Sequence, residues 1–170
     1  GVEEKSVAER EAVLNDPDEA AEFVRLTGVD ALAVSIGTSH GAYKFKGGPQ
    51  LDFKRLKLIR EKVAVPLVLH GASSVPQEIV EKANKYGAQL EGAKGIPEEH
   101  IKKAISLGIT KINIDTDLRL AFTATIREVL ANQPKEFDPR KILGPAKEAM
   151  KSVVKGKMRL FGSAGKAAGG

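Results

Sequence analysis

Short strand-like segments alternate along this chain with segments whose apolar residues recur at helical spacing. The strand predictions are residues 31–36, 66–69 and 111–114, and the first is apolar enough to be buried on both faces of a sheet. Helical spacing of apolar residues occurs in six segments, residues 17–27, 51–62, 77–86, 97–105, 116–129 and 139–153. Because strands that alternate with helices form parallel sheets, the pattern predicts an α/β fold.

Local signals mark where several of these helices begin and end. Asp16 and Pro17 predict a cap followed by a first-turn proline, and Gly28 predicts the end of that helix. Residues 74–77, Ser-Val-Pro-Gln, resemble a capping box in which Ser74 caps the next helix. These signals place glycine- and serine-containing loops directly after the predicted strands.

Two arrangements fit an alternating α/β pattern of this length: a small doubly wound open sheet, or part of a (β/α)8 barrel. Three strands are too few for a complete barrel, which takes about 250 residues. We expect residues 1–161 to form one domain and the Gly- and Ala-rich residues 162–170 to form a flexible tail.

Composition and charge narrow the class of protein. The chain has 42% hydrophobic residues, a net charge of +5 and no cysteine, so disulfides and cysteine metal sites are excluded. Its basic residues are dispersed and its aromatics are only 5%, which disfavours nucleic acid as the partner. Small phosphorylated metabolites fit a diffuse positive charge equally well. No apolar run has the length of a membrane span, and the amino terminus does not have a signal-peptide pattern. Because the chain has no cysteine, the expected location is the reducing cytoplasm.

Histidines follow two of the predicted strands. His40 and His70 lie where parallel strands end, so both imidazoles are predicted to face one cavity and bind a metal ion. The alternative is that each is an ordinary loop histidine with a hydrogen-bond partner. His100 lies on a predicted helix and is assigned to the surface.

Other polar residues at the strand ends suit an anion. Backbone N–H groups at Gly71 and Ser73, and the helix start at Thr116, are candidates for binding phosphate, as is Lys44. Simple alternatives remain for these positions: helix capping for the serines, a solvated side chain for Lys44, and a turn or cap for Asp115. Asn113 could instead bond to a neighbouring strand.

Four motifs together resemble the class II fructose-bisphosphate aldolases. They are Gly-Thr-Ser-His-Gly-Ala-Tyr-Lys (37–44), Leu-His-Gly-Ala-Ser (69–73), Lys-Ile-Asn-Ile-Asp-Thr-Asp (111–117) and Phe-Asp-Pro-Arg (137–140). The resemblance covers nearly the whole chain and implies the carboxyl-terminal part, about strands six to eight, of a (β/α)8 TIM barrel. It implies reversible, zinc-assisted cleavage of fructose 1,6-bisphosphate to dihydroxyacetone phosphate and glyceraldehyde 3-phosphate through an enediolate.

The resemblance also assigns roles to individual residues. It implies that His40 and His70 bind Zn²⁺, and that Glu4 moves the substrate proton although the residues alone suggest a solvated charge. The residues implied in binding the substrate and its phosphates are Gly41, Lys44, Gly71, Ser73, Asn113, Asp115, Thr116 and Arg140. A monovalent cation, Na⁺ or K⁺, is implied near one phosphate.

One departure from the family pattern concerns the first half of the enzyme. The family's third zinc histidine and its aldehyde-directed aspartate belong to a His-x-Asp-His motif that this sequence lacks. We therefore expect a fragment whose partners are the missing amino-terminal half of the barrel and, because Arg140 is implied to reach across a subunit boundary, further copies in a homo-oligomer. The alternatives are a tagatose-1,6-bisphosphate aldolase and a non-catalytic half-barrel.

Overall fold

The computed structural model describes residues 14–38 and 51–167. Among these, six helices and three strands follow each other in the order α1 (Pro17–Thr27), β1 (Leu32–Ala33), α2 (Phe53–Lys62), β2 (Leu67–Leu69), α3 (Gln77–Lys85), α4 (Glu98–Ser106), β3 (Ile109–Ile112), α5 (Thr116–Asn132) and α6 (Pro139–Leu160). None of these helices combines the length and the apolar character that crossing a lipid bilayer requires.

The described residues form two compact units. The first contains those up to Ser74 together with Gly95–Ile114, and the second contains Val75–Lys94 together with those from Asp115 onward. The three strands, α1, α2 and α4 belong to the first unit, whereas α3, α5 and α6 belong to the second.

The sheet of the first unit is parallel, and its strands are neighbours in chain order, β1-β2-β3. Consecutive strands are also neighbours in a (β/α)8 barrel, so the order agrees with the predicted partial barrel. All three residues of β2 are buried, because the strand lies at the centre of the sheet. The core around it includes Ile36, Leu56, Ile59, Leu67 and Leu69.

The first strand is shorter and less buried than the sequence predicts. β1 covers only Leu32–Ala33, although the Val34 N–H still donates to the Val68 carbonyl oxygen at 3.1 Å. Val34 and Ile36 are buried, but Ala33 is exposed. The prediction that both faces are buried is therefore wrong, because β1 lies at the edge of the described sheet and packs through one face.

The second unit is built around α5, which packs against both α3 and α6. Its buried residues begin at Asp117 and continue at helical spacing through Leu120, Ala121, Ala124, Thr125 and Val129. Leu118 and Phe122, which the apolar pattern predicts on the inner face, are only half-buried. The buried face of α5 is therefore displaced around the helix from the predicted one, because the contacts with α3 and α6 decide which side chains are covered.

The first helix forms as its local signals predict. Asp16 accepts hydrogen bonds from the N–H groups of Asp18 and Glu19, at 2.8 and 3.2 Å. Those two bonds, led by the one from Glu19, hold the pKa of the Asp16 carboxyl below its usual value. Gly28 ends the helix in the left-handed conformation, with φ 64°.

Candidate active site

Two of the predicted site residues, His70 and Asn113, lie side by side in the first unit. His70 directly follows β2 and Asn113 directly follows β3. The Asn113 N–H donates to the Leu69 carbonyl oxygen at 3.0 Å, which extends the pairing of the two strands by one step. Asn113 Nδ2 lies 2.9 Å from His70 Nδ1 and 3.2 Å from His70 Nε2. The strand ends therefore bring an amide and an imidazole into direct contact.

An extra residue in β3 allows Asn113 to reach His70. The register of β2 and β3 shifts by one residue after the pair Leu67 and Ile109. Thr110 is the extra residue, and its hydroxyl donates to the Leu67 carbonyl oxygen at 3.2 Å. Without the shift, Asn113 would align with the residue after His70 and point to the opposite face, because successive side chains of a strand alternate. The irregularity therefore decides which side chain meets the imidazole.

Lys111 joins this contact, although it was not among the predicted site residues. Its Nζ donates to Asn113 Oδ1. Lys111 lies two positions before Asn113, and that spacing in a strand is the signal in the sequence that identifies it. His70 and Lys111 are exposed and Asn113 is half-buried. We call His70, Asn113 and Lys111 the strand-end cluster: its imidazole, amide and ammonium groups can bind a polar, negatively charged ligand.

His70 is the one predicted zinc ligand that lies within the described residues. His40, Glu4, Gly41 and Lys44 lie outside them. Within residues 14–38 and 51–167, no group of three or more potential ligand side chains occurs. A neutral imidazole exposed at a strand end can offer one ring nitrogen to zinc while the other contacts Asn113. Among the described residues, His70 therefore fits zinc as one member of a larger set of ligands.

The segment after His70 follows a tightly constrained path. Gly71 has φ 62°, which glycine adopts without strain. Ser73 is buried, and its carbonyl oxygen accepts the Ile96 N–H at 3.0 Å. A Cβ atom on Gly95 would lie 2.2 Å from that same carbonyl oxygen, so only glycine fits there. Gly71 and Ser73, both predicted to bind phosphate, therefore belong to a backbone segment with little freedom to move.

The prediction that Ser74 caps the next helix is wrong. α3 begins at Gln77, its cap position is Pro76, and no side chain caps it. Val75 has φ 50°, a left-handed conformation that cannot form the first turn of a helix capped by Ser74. Gln77 Nε2 instead donates to the carbonyl oxygens of Val75 and Ala93, at 3.0 Å each.

Asp115 and Thr116 lie at the start of α5, in the second unit. Asp115 occupies the cap position, but its side chain makes no capping hydrogen bond. Its carboxylate pairs with Arg119, with 3.0 Å between Oδ1 and Nε and 2.8 Å between Oδ2 and Nη2. Thr116 is the first residue of the helix, where backbone N–H groups and the helix dipole favour an anion such as phosphate.

Arg140 lies near the start of α6 and projects into solvent, with 90% of its side chain exposed. Its Nε donates to Asp138 Oδ1 at 3.0 Å, and its Nη2 donates to Asp138 Oδ2 at 2.7 Å. These side-chain bonds, followed by the Arg140 N–H, lower the pKa of Asp138, and the pair raises the pKa of Arg140. Arg140 is therefore held at the surface as a permanent cation in a defined orientation.

A second polar cluster, which was not predicted, is buried in the second unit. Asp117 is completely buried, and its Oδ1 accepts the Val75 N–H at 2.7 Å. Its Oδ2 lies 3.2 Å from Nζ of Lys157, a lysine of α6 that is only 8% exposed. We call Val75, Asp117 and Lys157 the buried cluster. The sequence signal is weak: Lys157 follows Val153 by one helical turn on the apolar stripe of α6.

The surface assignment of His100 is wrong in part. His100 is half-buried, and its ring packs edge-on against Phe53 with 5.6 Å between the ring centroids. Its Nδ1 is buried and has no hydrogen-bond partner. The reason is that α4 packs against α2 beside the apolar stripe, so the imidazole fills a gap between two helices of the first unit.

Comparison with known proteins identifies the family. A family model described as Fructose-bisphosphate aldolase class-II matches residues 1–90 and 88–166. The fructose-bisphosphate aldolase of Thermus caldophilus is 61% identical over 98% of this chain and 55% of its own length. That of Helicobacter pylori strain J99 is 49% identical, over 98% of this chain and 54% of its own length.

A solved structure agrees in fold. The YdjI aldolase of Escherichia coli K12 aligns with a TM-score of 0.64 and 38% identity, over 90% of this chain and 46% of its own. This chain thus spans about half the length of the relatives that it matches. The expected partial TIM barrel is confirmed, and the chain belongs to the class II fructose-bisphosphate aldolase family.

Proposed function

We propose that this chain supplies the carboxyl-terminal half of an active site that reversibly cleaves fructose 1,6-bisphosphate to dihydroxyacetone phosphate and glyceraldehyde 3-phosphate. The observation that carries the proposal is the direct contact between His70 and Asn113 at the ends of two adjacent parallel strands. Barrel enzymes assemble their sites from such strand ends. The contact unites a metal-binding group with a group that can orient a sugar.

In this proposal His70 and His40 hold zinc, and a third ligand comes from residues outside this chain. A bound zinc ion supplies positive charge that polarises a ketose carbonyl and stabilises the negative charge left after proton loss. Asn113 orients the ketose through its amide, which lies against the imidazole. Lys111 holds the Asn113 side chain by donating to its Oδ1.

The two phosphates of the sugar are bound by different sets of residues. One phosphate is held by backbone N–H groups at Gly71 and Ser73 together with Gly41 and Lys44. A monovalent cation accompanies that phosphate. Asp115 and Thr116 belong to the substrate-binding residues. Arg140, an exposed cation fixed by Asp138, binds the other phosphate, and it does so across a subunit boundary in a homo-oligomer.

Proton transfer requires groups from both halves of the enzyme. Glu4 takes and returns the proton of the ketose carbon. The aspartate that handles the proton at the aldehyde oxygen comes from the amino-terminal half of the barrel. That half is therefore a partner of this chain. The complete enzyme then works on phosphorylated sugars in the cytoplasm, in glycolysis and gluconeogenesis.

The test compares histidine variants in the full-length chain that carries these residues. Replacing His70 or His40 with alanine is expected to remove most bound zinc and to lower fructose 1,6-bisphosphate cleavage by about 10³-fold or more, since each removes one zinc ligand. His100→Gln is the matched control, because His100 packs against Phe53 and has no assigned role in the site. That variant should keep both zinc and activity.

The measurements are zinc content by elemental analysis and product formation from fructose and tagatose 1,6-bisphosphates. Full zinc content in His70→Ala would contradict the ligand assignment. Preference for tagatose bisphosphate would replace the proposed substrate. A full-length protein that binds zinc but cleaves neither sugar would favour a non-catalytic role.

A further inference from the structure

The buried cluster combines a strained backbone with a buried ion pair. Val75 has φ 50°, although a β-branched residue rarely adopts the left-handed region. Its side chain is also buried, at 1% exposure. A conformation of this kind persists only where surrounding contacts hold it.

Both polar groups of the Val75 backbone are bound by side chains. Its N–H donates to Asp117 Oδ1 at 2.7 Å, and its carbonyl oxygen accepts from Gln77 Nε2 at 3.0 Å. The first bond is charge-assisted and short, and it links the start of α3 to the start of α5. Asp117 therefore fixes the backbone at the point where the chain enters α3.

Asp117 is itself held by Lys157. The Lys157 ammonium lies 3.2 Å from Asp117 Oδ2, and both groups are nearly or completely buried. A buried ion pair is seldom the most stable filling of such a space, because apolar residues of similar volume usually serve as well. Its location beside a strained backbone suggests a role in placing that backbone.

The position of the cluster along the chain indicates what it places. Val75 follows the predicted phosphate-binding residues Gly71 and Ser73 after one intervening serine, and Asp117 directly follows Thr116. We propose that Asp117 and Lys157 are positioning residues, which hold the exit of the phosphate-binding segment and thereby raise affinity for the phosphorylated ketose. This inference rests on the proposed function and adds residues that touch neither substrate nor metal.

Two double variants separate positioning from stability. Asp117→Asn with Lys157→Met removes the buried charges but keeps an oxygen that accepts the Val75 N–H. Asp117→Leu with Lys157→Met has nearly the same size and removes that acceptor. Neither double variant buries a charge, so the two differ mainly in whether the Val75 N–H keeps its hydrogen-bond acceptor.

The first readout is hydrogen exchange of the Val75 amide in the full-length protein, which needs no catalytic activity. We expect the Leu–Met pair to exchange at least about tenfold faster than the unsubstituted protein, because its amide has lost its acceptor, and the Asn–Met pair to stay within about threefold. Equal protection in both pairs would overturn the inference, whether or not the protein is an aldolase.

The second readout is steady-state cleavage of fructose 1,6-bisphosphate. We expect KM to rise about tenfold in the Leu–Met pair and to change little in the Asn–Met pair, with kcat changed less than KM in both. An unchanged KM in the Leu–Met pair, despite faster exchange, would overturn the positioning role. No cleavage by the unsubstituted protein would instead reject the proposed function, and the exchange result would still test the contact.

Discussion

The strand-end cluster and the buried cluster use similar polar groups in opposite environments. His70 and Lys111 are exposed at the ends of strands, whereas Asp117 and Lys157 are buried between helices of the second unit. Exposed groups keep their hydration and can exchange it for a ligand at small cost. Buried groups have lost their hydration and are costly to separate. The exposed cluster is therefore suited to binding, and the buried one to fixing the backbone.

The largest expected effect comes from breaking the buried ion pair on one side only. Asp117→Leu leaves the Lys157 ammonium buried without its carboxylate, so we expect the free energy of unfolding to fall by about 3–5 kcal/mol. Urea unfolding followed by circular dichroism measures this change. Asp115→Leu is the matched control at an exposed carboxylate, expected to change stability by about 0.5 kcal/mol or less. Equal losses in the two variants would contradict the contrast between the clusters.

For the strand-end cluster we expect the opposite result, a large loss of activity with little change in stability. Asn113→Leu preserves size but removes the amide that contacts His70, so we expect cleavage activity to fall by about 10²–10³-fold, as when a single oriented donor is removed. Its stability should change by about 0.5 kcal/mol or less, because the residue is only half-buried. Paired assays of turnover and urea unfolding test both parts, and a large loss of stability would count against the assignment.

A smaller effect on stability is expected at Gly95, which packs against the predicted phosphate-binding residue Ser73. A methyl group there would collide with the Ser73 carbonyl oxygen, so Gly95→Ala should destabilise the protein by about 1–3 kcal/mol. Gly156→Ala is the control: it lies inside α6 with open space around it and should stabilise the protein by up to about 1 kcal/mol. Thermal unfolding of the two variants should therefore shift in opposite directions.

The smallest effect concerns a carboxylate of intermediate exposure. Asp52 caps α2 by accepting the Arg55 N–H at 2.8 Å, so Asp52→Ala should cost about 1 kcal/mol of stability. That hydrogen bond is the main reason why the pKa of Asp52 lies below 3.8. The lowered pKa contributes stability above pH 3.8, and this contribution is lost as the pH falls through the folded value.

The same residue gives a pH test. Asp52→Asn keeps an oxygen that accepts the Arg55 N–H but cannot titrate, so its stability should fall less steeply on acidification than that of the unsubstituted protein. Urea unfolding between about pH 6 and pH 3 measures the two slopes. Identical slopes would show that the cap contributes nothing to acid sensitivity.

Local sequence signals predicted much of the secondary structure. As expected, Asp16 caps α1, Pro17 begins it and Gly28 ends it. The motif residues His70 and Asn113 lie at strand ends, where the pattern placed them. Such signals succeed because capping, proline geometry and glycine conformation act within one or two turns of chain. The family, too, was identifiable from short motifs and their order.

Features that depend on distant residues could not be predicted in this way. The start of α3 at Gln77 follows from the left-handed Val75, which is held by a carboxylate 42 residues away in the chain. The half-burial of His100 likewise follows from packing between α2 and α4. In each case a tertiary contact outweighed a reasonable local preference.

By itself the sequence determined the order of helices and strands, the family, and the residue types available at each strand end. Only the tertiary structure decided that a one-residue shift after Leu67 brings Asn113 beside His70. Only the tertiary structure decided that Asp117 and Lys157 meet in the interior. The physical reason is that register and burial arise from contacts between residues far apart in the chain, which no local pattern of apolar and polar residues specifies.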